Sequence, residues 1–288
     1  TTAMVLDSGK TTLRGGYDAT KPIEVSRFTI RDYHAKRRWL SVPEIFMYSS
    51  NIGSVKMVLH VGPRAQRRFL DKLGLLTPSP VEIPEVGAPL VPSRWREINA
   101  MTIAFGHGMA VSPMQLVSAV SAMVNGGILY RPTLLKRPEG ATIIGKRVIS
   151  EKTSEKIRRL LRLVVAHGTG RKAAAEGFLV GGKTGTAEKV VGKRYKTKAL
   201  MSSFVGAFPM DAPRYVVFAM LDEPTGNKRT FGYATGGWVA APVVGSVIKR
   251  VGPMLGVHAV DEDAPEVRSK MAIDVVTKKT GKRRLASF

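Results

Sequence analysis

Residues 178–189 read Phe-Leu-Val-Gly-Gly-Lys-Thr-Gly-Thr-Ala-Glu-Lys, and this stretch decides how the rest of the chain is interpreted. Its apolar start predicts a β-strand, in which Lys183 and Gly185 point to one face and Thr184 and Thr186 to the other. A glycine in the strand leaves bare backbone that a ligand can approach closely. A cation, hydroxyls and exposed N–H groups along one sheet edge suit a carboxylate-bearing substrate or a developing oxyanion. A plain edge strand with a basic hairpin is the simpler interpretation of this motif taken alone.

The composition is that of a globular protein with a strongly basic surface. The chain has 288 residues, of which 44% are hydrophobic and 23% charged, enough for one large domain or two small ones. Its 45 Lys and Arg against 22 Asp and Glu give a net charge of +23, which favours polyanionic partners. Aromatic residues are only 7% and do not alternate with basic ones, so nucleic acid is not an expected partner.

Several kinds of site and segment are not expected from the sequence. It contains no cysteine, which excludes disulfides, thiolate metal sites and a cysteine nucleophile. Its 5 histidines lack metal-ligand spacing, so neither a metal nor a cofactor is expected. No apolar run approaches the length of a membrane span, and no signal peptide is visible. Because the first residue is Thr1 rather than Met, we expect a fragment or a processed product.

Ser49 and Asn51 are predicted to lie at a junction between two helices. The residues Ser-Val-Pro-Glu at 41–44 have the pattern of a capping box and start a short helix that runs to Tyr48. A second helix follows from Ile52, with its apolar residues on one stripe. Such a junction can present polar groups into a cleft, but serine and asparagine also serve as plain caps and turn formers.

The order of predicted elements favours an α+β fold. Helices dominate up to residue 165, and strands follow at 178–190, 200–209 and 215–222; the first two form a hairpin around a basic loop, and the third is apolar enough to be central. A closing helix is predicted at 236–255. This order suggests an antiparallel sheet covered by helices. The charge cluster at 31–38 is interpreted as a solvated loop. We expect one domain over 1–260 and a basic, disordered tail over 261–288.

Three motifs in their order along the chain resemble one family. They are Ser49-Ser50-Asn51, the loop Gly106-His107-Gly108 leading into Ser112-Pro113-Met114-Gln115-Leu116, and Lys183-Thr184-Gly185-Thr186. This set resembles the transpeptidase domain of class B penicillin-binding proteins, and the sequence around the last two motifs is most similar to the septal, cell-division branch. The resemblance implies a β-lactamase/D,D-peptidase-like fold, an antiparallel sheet with helices on both faces.

The resemblance also implies an activity and roles for individual residues. Family members are peptidoglycan D,D-transpeptidases, in which a serine attacks a D-alanyl-D-alanine stem peptide and the acyl-enzyme is aminolysed by a neighbouring stem peptide. By position, Ser49 would relay protons, Asn51 would bind the substrate amide, and Lys183 would supply positive charge and orient Ser49. Thr184, Gly185 and Thr186 would form the substrate-binding strand, with the Thr184 and Thr186 hydroxyls on the substrate carboxylate and the Thr186 N–H in the oxyanion hole.

Partners and location follow only from the resemblance. It implies that stem peptides and β-lactams bind, that the protein works with cell-division membrane proteins, and that it is anchored in the bacterial inner membrane with a periplasmic catalytic domain. A serine β-lactamase and a non-catalytic penicillin-sensing or penicillin-binding module are the alternatives.

The sequence departs from the family pattern at the nucleophile. The family's Ser-x-x-Lys motif belongs upstream of Ser49, and the chain has no match there. Its single match, Ser246-Val247-Ile248-Lys249, falls in the closing helix and is interpreted as a chance pair. Since Thr1 to Met4 resemble the helix that begins at the family's nucleophile, we expect the chain to start just after that serine, with the nucleophile not in this chain. On that expectation the chain cannot acylate by itself.

Overall fold

The computed structural model describes residues 1–26, 28–191, 194–276 and 283–286. The undescribed residues include Gly192 and Lys193 of the predicted basic loop, and 277–282 and 287–288 of the predicted tail. The chain divides into two compact units. The first consists mainly of Thr1–Ile45 and Ser49–Ile157, and the second mainly of Phe46–Tyr48 and Arg158–Val275.

The described part of the chain alternates short strands and helices before a long antiparallel sheet. The helices are α1 Thr2–Asp7, α2 Val42–Tyr48, α3 Asn51–Val61, α4 Pro63–Lys72, α5 Glu97–Ala104, α6 Pro113–Val124, α7 Glu151–His167, α8 Gly236–Val239, α9 Ala241–Met254 and α10 Pro265–Met271. The strands are β1 Gly16–Asp18, β2 Ile23–Val25, β3 Phe28–Ile30, β4 Trp39–Ser41, β5 Ile128–Tyr130, β6 Gly145–Arg147, β7 Gly181–Val191, β8 Arg194–Phe208, β9 Tyr215–Asp222, β10 Ile273–Val276 and β11 Arg283–Ala286.

The first unit is built around α3. This helix contacts α1, α4 and α5, and its inward stripe is fully buried. Val55 packs with Ile30 and Met101 in one apolar cluster. A second cluster joins α6 to the end of α4, through Ala122 and Leu73 among others. Of the predicted stripe, Ile52, Val55 and Val58 are buried and anchor the segment that begins at Asn51, whereas Leu59 is 37% exposed.

The helix starts at Ser112 and at Ser41, each followed three residues later by Gln or Glu, differ in the structure. At α6 the box is complete, because the Ser112 hydroxyl accepts from the Gln115 N–H and the Gln115 side chain accepts from the Ser112 N–H. At α2 the Ser41 N–H and hydroxyl both donate to the Glu44 carboxylate, and Arg38 pairs with the same carboxylate at 2.6 Å. Glu44 thus fixes the start of α2 through its charge as well as its position.

The second unit contains an antiparallel three-stranded sheet in the order β7-β8-β9. The register pairs Lys183 with Val205 and Thr184 with Phe204, which confirms the predicted hairpin. In the described residues β9 pairs only with β8, so the prediction of a central β9 is wrong and β8 is the middle strand. The apolar run of β9 has another cause: alternate residues pack on the core, while Met220 on the opposite face is 47% exposed.

The core of the second unit lies between β8 and α9. Phe204 and Phe208 on β8 pack with Val244 and Ile248 on α9, and all are fully buried. The sequence predicts one closing helix over 236–255, whereas the structure has α8 and α9 with a break at Ala240. Pro242 in the first turn of α9 explains the break, since proline has no N–H to continue the preceding helix.

The chain beyond residue 260 contains regular structure where the sequence predicts none. Helix α10 and strand β10 follow Glu262, and Met271 and Ile273 are buried. Burial of these two apolar side chains favours folding of the segment, although its charged composition predicts disorder. The boundary at residue 260 stays a prediction.

Candidate active site

Ser49 is an exposed residue in the turn between α2 and α3. Its φ of 57° lies in the left-handed region, which costs a non-glycine residue about 1–3 kcal/mol. The neighbouring elements therefore hold Ser49 in a conformation that the chain would not adopt alone. Strain of this kind clusters at functional sites, which makes Ser49 a candidate, and its role as a site residue stays a prediction.

Ser50 is the helix cap. Its hydroxyl accepts from the Gly53 N–H at 3.0 Å and donates to the Asp32 carboxylate at 2.8 Å. The other oxygen of Asp32 accepts from the Ile52 N–H at 3.0 Å. Sequence reasoning missed Asp32, because its charge cluster was interpreted as a solvated loop. No local signal distinguishes Asp32 from its neighbours, since the contact spans 18 residues.

Asn51 is half-buried at the first position of α3. Its side-chain N–H donates to the backbone carbonyl of Arg31 at 2.8 Å. This bond orients the amide and leaves its oxygen as the group that can accept from a ligand N–H. An oriented acceptor of this kind is suited to the predicted role of Asn51, binding a substrate amide.

In the second unit, β7 presents its side chains as predicted. Lys183 and Gly185 lie on one face of the sheet, and Thr184 and Thr186 on the other. Lys183 is half-buried, and its ammonium donates to the Thr184 carbonyl at 3.3 Å. Burial lowers the pKa of Lys183 from 10.5 to about 8. The lysine is therefore a cation at neutral pH that loses its proton more readily than a solvated lysine.

Both threonine hydroxyls of β7 are held by neighbouring groups. The Thr184 hydroxyl lies 2.9 Å from the Thr169 hydroxyl, and the Thr186 hydroxyl accepts from the Gly236 N–H at 3.0 Å. Since a hydroxyl that accepts one bond can still donate its own proton, Thr186 retains a donor for an anion. Sequence reasoning missed both partners, because Thr169 lies 15 residues from Thr184 and Gly236, predicted only as the start of the closing helix, lies 50 residues from Thr186.

Gly236 is required by the close approach of α8 to the sheet. A Cβ at this position would lie 2.2 Å from the Ser203 carbonyl and 2.5 Å from the Gly185 carbonyl. Any side chain would force the start of α8 away from β7 and β8, and would break the N–H bond to Thr186. The positions of Gly236 and Thr186 are therefore coupled.

Residues 1–249 match the family described as the penicillin binding protein transpeptidase domain. The chain belongs to this family. It is 42% identical over 266 residues to the probable peptidoglycan D,D-transpeptidase FtsI of Caulobacter vibrioides, covering 89% of this chain and 45% of that protein. It is 36% identical over 260 residues to the probable peptidoglycan D,D-transpeptidase PenA of Neisseria flavescens, covering 89% of this chain and 63% of that protein. The chain thus spans about half the length of these relatives.

Solved transpeptidase domains share the fold. The transpeptidase domain of Burkholderia pseudomallei penicillin-binding protein 3 superposes with a TM-score of 0.82 at 32% identity, covering 90% of this chain and 77% of that one. Penicillin-binding protein 3 of Mycobacterium tuberculosis, complexed with ampicillin, gives a TM-score of 0.81 at 25% identity, covering 92% and 62%. These matches confirm the predicted family and the predicted fold class, a mixed β-lactamase/D,D-peptidase-like fold.

Within this transpeptidase domain, the Ser-x-x-Lys sequence at Ser246–Lys249 lies on the outer side of α9. Val244 and Ile248 point into the core beneath β8, whereas Ser246 and Lys249 are exposed. Ser246 lines a shallow groove on α9 together with Pro242, Val243, Val247 and Arg250. This position supports the interpretation of the pair as a coincidence on a packing helix.

The predicted site residues of the transpeptidase domain are divided between the two units. Ser49 and Asn51 belong to the first unit, and Lys183, Thr184 and Thr186 to the second. Asn51 is held by a hydrogen bond within the first unit, and Thr184 and Thr186 by hydrogen bonds within the second. Among the described residues no helix is long and apolar enough to cross a membrane.

Proposed function

We propose that this chain forms part of a peptidoglycan D,D-transpeptidase that cross-links stem peptides through a serine acyl-enzyme. The observation that carries the proposal is the β7 strand: a half-buried lysine and two oriented threonine hydroxyls alternate on it, in a chain that matches the transpeptidase family over residues 1–249. We further propose that β-lactams bind the same strand. The complex of the Mycobacterium tuberculosis relative with ampicillin supports this extension.

In the proposed mechanism the second unit recognises the carboxylate of the substrate. The hydroxyls of Thr184 and Thr186 donate to the C-terminal carboxylate of the D-alanyl-D-alanine peptide, or to the carboxylate of a β-lactam. Lys183 supplies the positive charge that makes this region favourable for an anion. The Thr186 N–H serves as one oxyanion donor, and loss of such a donor costs about a hundred- to a thousandfold in rate.

In the same mechanism the first unit supplies polar groups for the peptide and for proton transfer. The Asn51 carboxamide oxygen accepts from the amide N–H of the substrate, because the carboxamide nitrogen already donates a hydrogen bond to the Arg31 carbonyl. Ser49 relays a proton to the leaving amine during acylation and away from the attacking amine during aminolysis, a role that suits an exposed hydroxyl on a constrained turn.

The nucleophile in this proposal is none of the serines in the chain. Ser246 has a lysine at the right spacing but lies on the outer face of α9, and Ser50 is used as the cap of α3. Acylation needs a serine with an adjacent base that lies within reach of the oxyanion donors. For the whole protein we propose an inner-membrane anchor, a periplasmic catalytic domain and cell-division membrane proteins as partners, by analogy with the family.

The test is labelling with fluorescent penicillin of the protein that is expressed from its own gene in its own cells. Lys183→Ala removes the charge on β7, and Lys249→Ala removes an exposed lysine from α9 as a matched control. We expect fluorescent penicillin to label the Lys183→Ala protein at least about a hundredfold more slowly and the Lys249→Ala protein at the rate of the unaltered one. Normal labelling of Lys183→Ala, or loss of labelling in Lys249→Ala, would overturn the assignment of β7.

A further inference from the structure

A cavity of about 670 Å³ lies beneath the basic loop of the first unit. Residues 31–37 form one side, and the remaining lining residues are Ala19, Thr20, Pro22 and Ile52. Its volume falls in the range of about 300–1,000 Å³ that is typical of small-ligand sites. The cluster that the sequence suggested to be a solvated loop therefore borders a half-open recess whose volume can hold a ligand.

The cavity is rich in positive charge. Arg31 and Arg37 are exposed, and no ion pair joins either to a carboxylate in the part of the chain that the structure describes. Asp32, the acidic residue among the lining residues, is occupied, since its two oxygens accept from Ser50 and Ile52. Two guanidinium groups are thus available in a recess where an anion would be surrounded by donors.

The cavity is tied to the predicted site by short hydrogen bonds. The Asn51 side chain donates to the Arg31 carbonyl at 2.8 Å, and the Ser50 hydroxyl donates to Asp32 at 2.8 Å. Ile52, one position further along α3, lines the cavity itself. A ligand in the cavity would therefore lie beside the backbone that carries Ser49 and Asn51.

We propose that this cavity binds a free carboxylate of a peptidoglycan stem peptide, with Arg31 and Arg37 as its ligands. The inference rests on the proposed function. Arginine forms paired, parallel hydrogen bonds with carboxylates, and two exposed arginines provide for both oxygens of one group or for two separate groups. The neighbouring Tyr33 and His34 rings, 4.5 Å apart, form a wall for the aliphatic part of the peptide. A concave, half-open recess fits a single peptide chain better than a flat lipid surface.

The experiment measures binding of a stem tripeptide, L-alanyl-γ-D-glutamyl-meso-diaminopimelate, to the 288-residue chain by calorimetry. This probe carries free carboxylates but lacks D-alanyl-D-alanine, so its binding does not depend on acylation. The variant is Arg31→Gln with Arg37→Gln. The control is Arg67→Gln with Arg68→Gln, which removes the same charge from two exposed arginines of α4. We expect about a tenfold or larger rise in Kd for the variant and a change within about twofold for the control.

Three results would overturn the proposal. The first is that the unaltered chain does not bind the tripeptide, and the second is that tripeptide binding weakens equally in the variant and the control. Binding to phosphatidylglycerol vesicles is measured in parallel, and the third is a variant that loses vesicle binding while it still binds the tripeptide. If the glutamine variant fails to fold, Arg31→Lys with Arg37→Lys is used instead; it retains charge without the guanidinium fork and is expected to give a smaller rise in Kd. Loss of the proposed transpeptidase function would appear as failed penicillin labelling, a separate readout.

Discussion

Glu262 connects the chain beyond residue 260 to the start of β7, and its removal gives a sharp test of the fold. One carboxylate oxygen accepts from the backbone N–H groups of Gly177 and Leu179 at 3.1 and 3.2 Å. The other lies 2.5 Å from the guanidinium of Arg162, which also donates to the Val180 carbonyl. Glu262 therefore holds both the segment that leads into β7 and a buried arginine.

The expected cost follows from the burial of the pair. Removing one partner of a buried ion pair costs about 3–5 kcal/mol, because the other charge remains buried. Here the side chains of Arg162 and Glu262 are 8% and 23% exposed, so solvent screens part of the charge. We expect Glu262→Ala to lower the free energy of opening around β7 by about 2–3 kcal/mol. Glu262→Gln keeps an acceptor for the N–H groups and should cost about 1–2 kcal/mol.

Amide hydrogen exchange of residues 177–189 measures this free energy of opening directly. A loss of about 2–3 kcal/mol speeds exchange about 30- to 150-fold, with Glu262→Gln between that value and the unaltered chain. Glu266→Ala is the control, since Glu266 is exposed in the first turn of α10. Unchanged exchange in Glu262→Ala, or equal acceleration in the control, would refute the reasoning that residues beyond 260 stabilise β7.

Three further predictions concern the site and the core. Lys183 should titrate near pH 8, which NMR of methylated lysines measures. Between pH 8 and 10.5 the native state then binds fewer protons than the unfolded chain, so the free energy of unfolding should rise with pH over that interval. The variant Lys183→Met should abolish this rise. Ser50→Ala should lower the free energy of unfolding in urea by about 0.5–2 kcal/mol through loss of the α3 cap, whereas Ser49→Gly should not lower it; the reverse order would contradict the assignment of the cap. Phe204→Ala should cost about 3–5 kcal/mol in the same assay, since its ring is fully buried, and a cost below about 1 kcal/mol would exclude it from the core.

Local patterns predicted the parts of the site that depend on neighbouring residues. The faces of β7 follow from strand alternation around Gly185, and the Ser112 capping box follows from four consecutive residues. The two strand-like segments that flank a basic loop after residue 178 likewise predicted the β7–β8 hairpin. In each case the decisive interaction lies within one element or one turn.

The remaining features depend on contacts that are distant in sequence. Asp32 reaches Ser50 across 18 residues, and Gly236 reaches Thr186 across 50. Neither contact has a local signature, because aspartate in a basic loop and glycine before a helix are ordinary. For the same reason the sequence did not identify Ser50 as the cap of α3, and it did not reveal the use of Glu262.

The claim that the chain carries substrate-recognition groups without its own nucleophile is tested most directly by intact-mass spectrometry of the 288-residue chain after incubation with benzylpenicillin. We predict an unmodified mass, because Ser246 lies on the outer face of α9 and Ser49 is proposed as a proton relay rather than a nucleophile. A stoichiometric adduct that peptide mapping places on Ser246 or Ser49 would contradict the account and would make that serine the nucleophile.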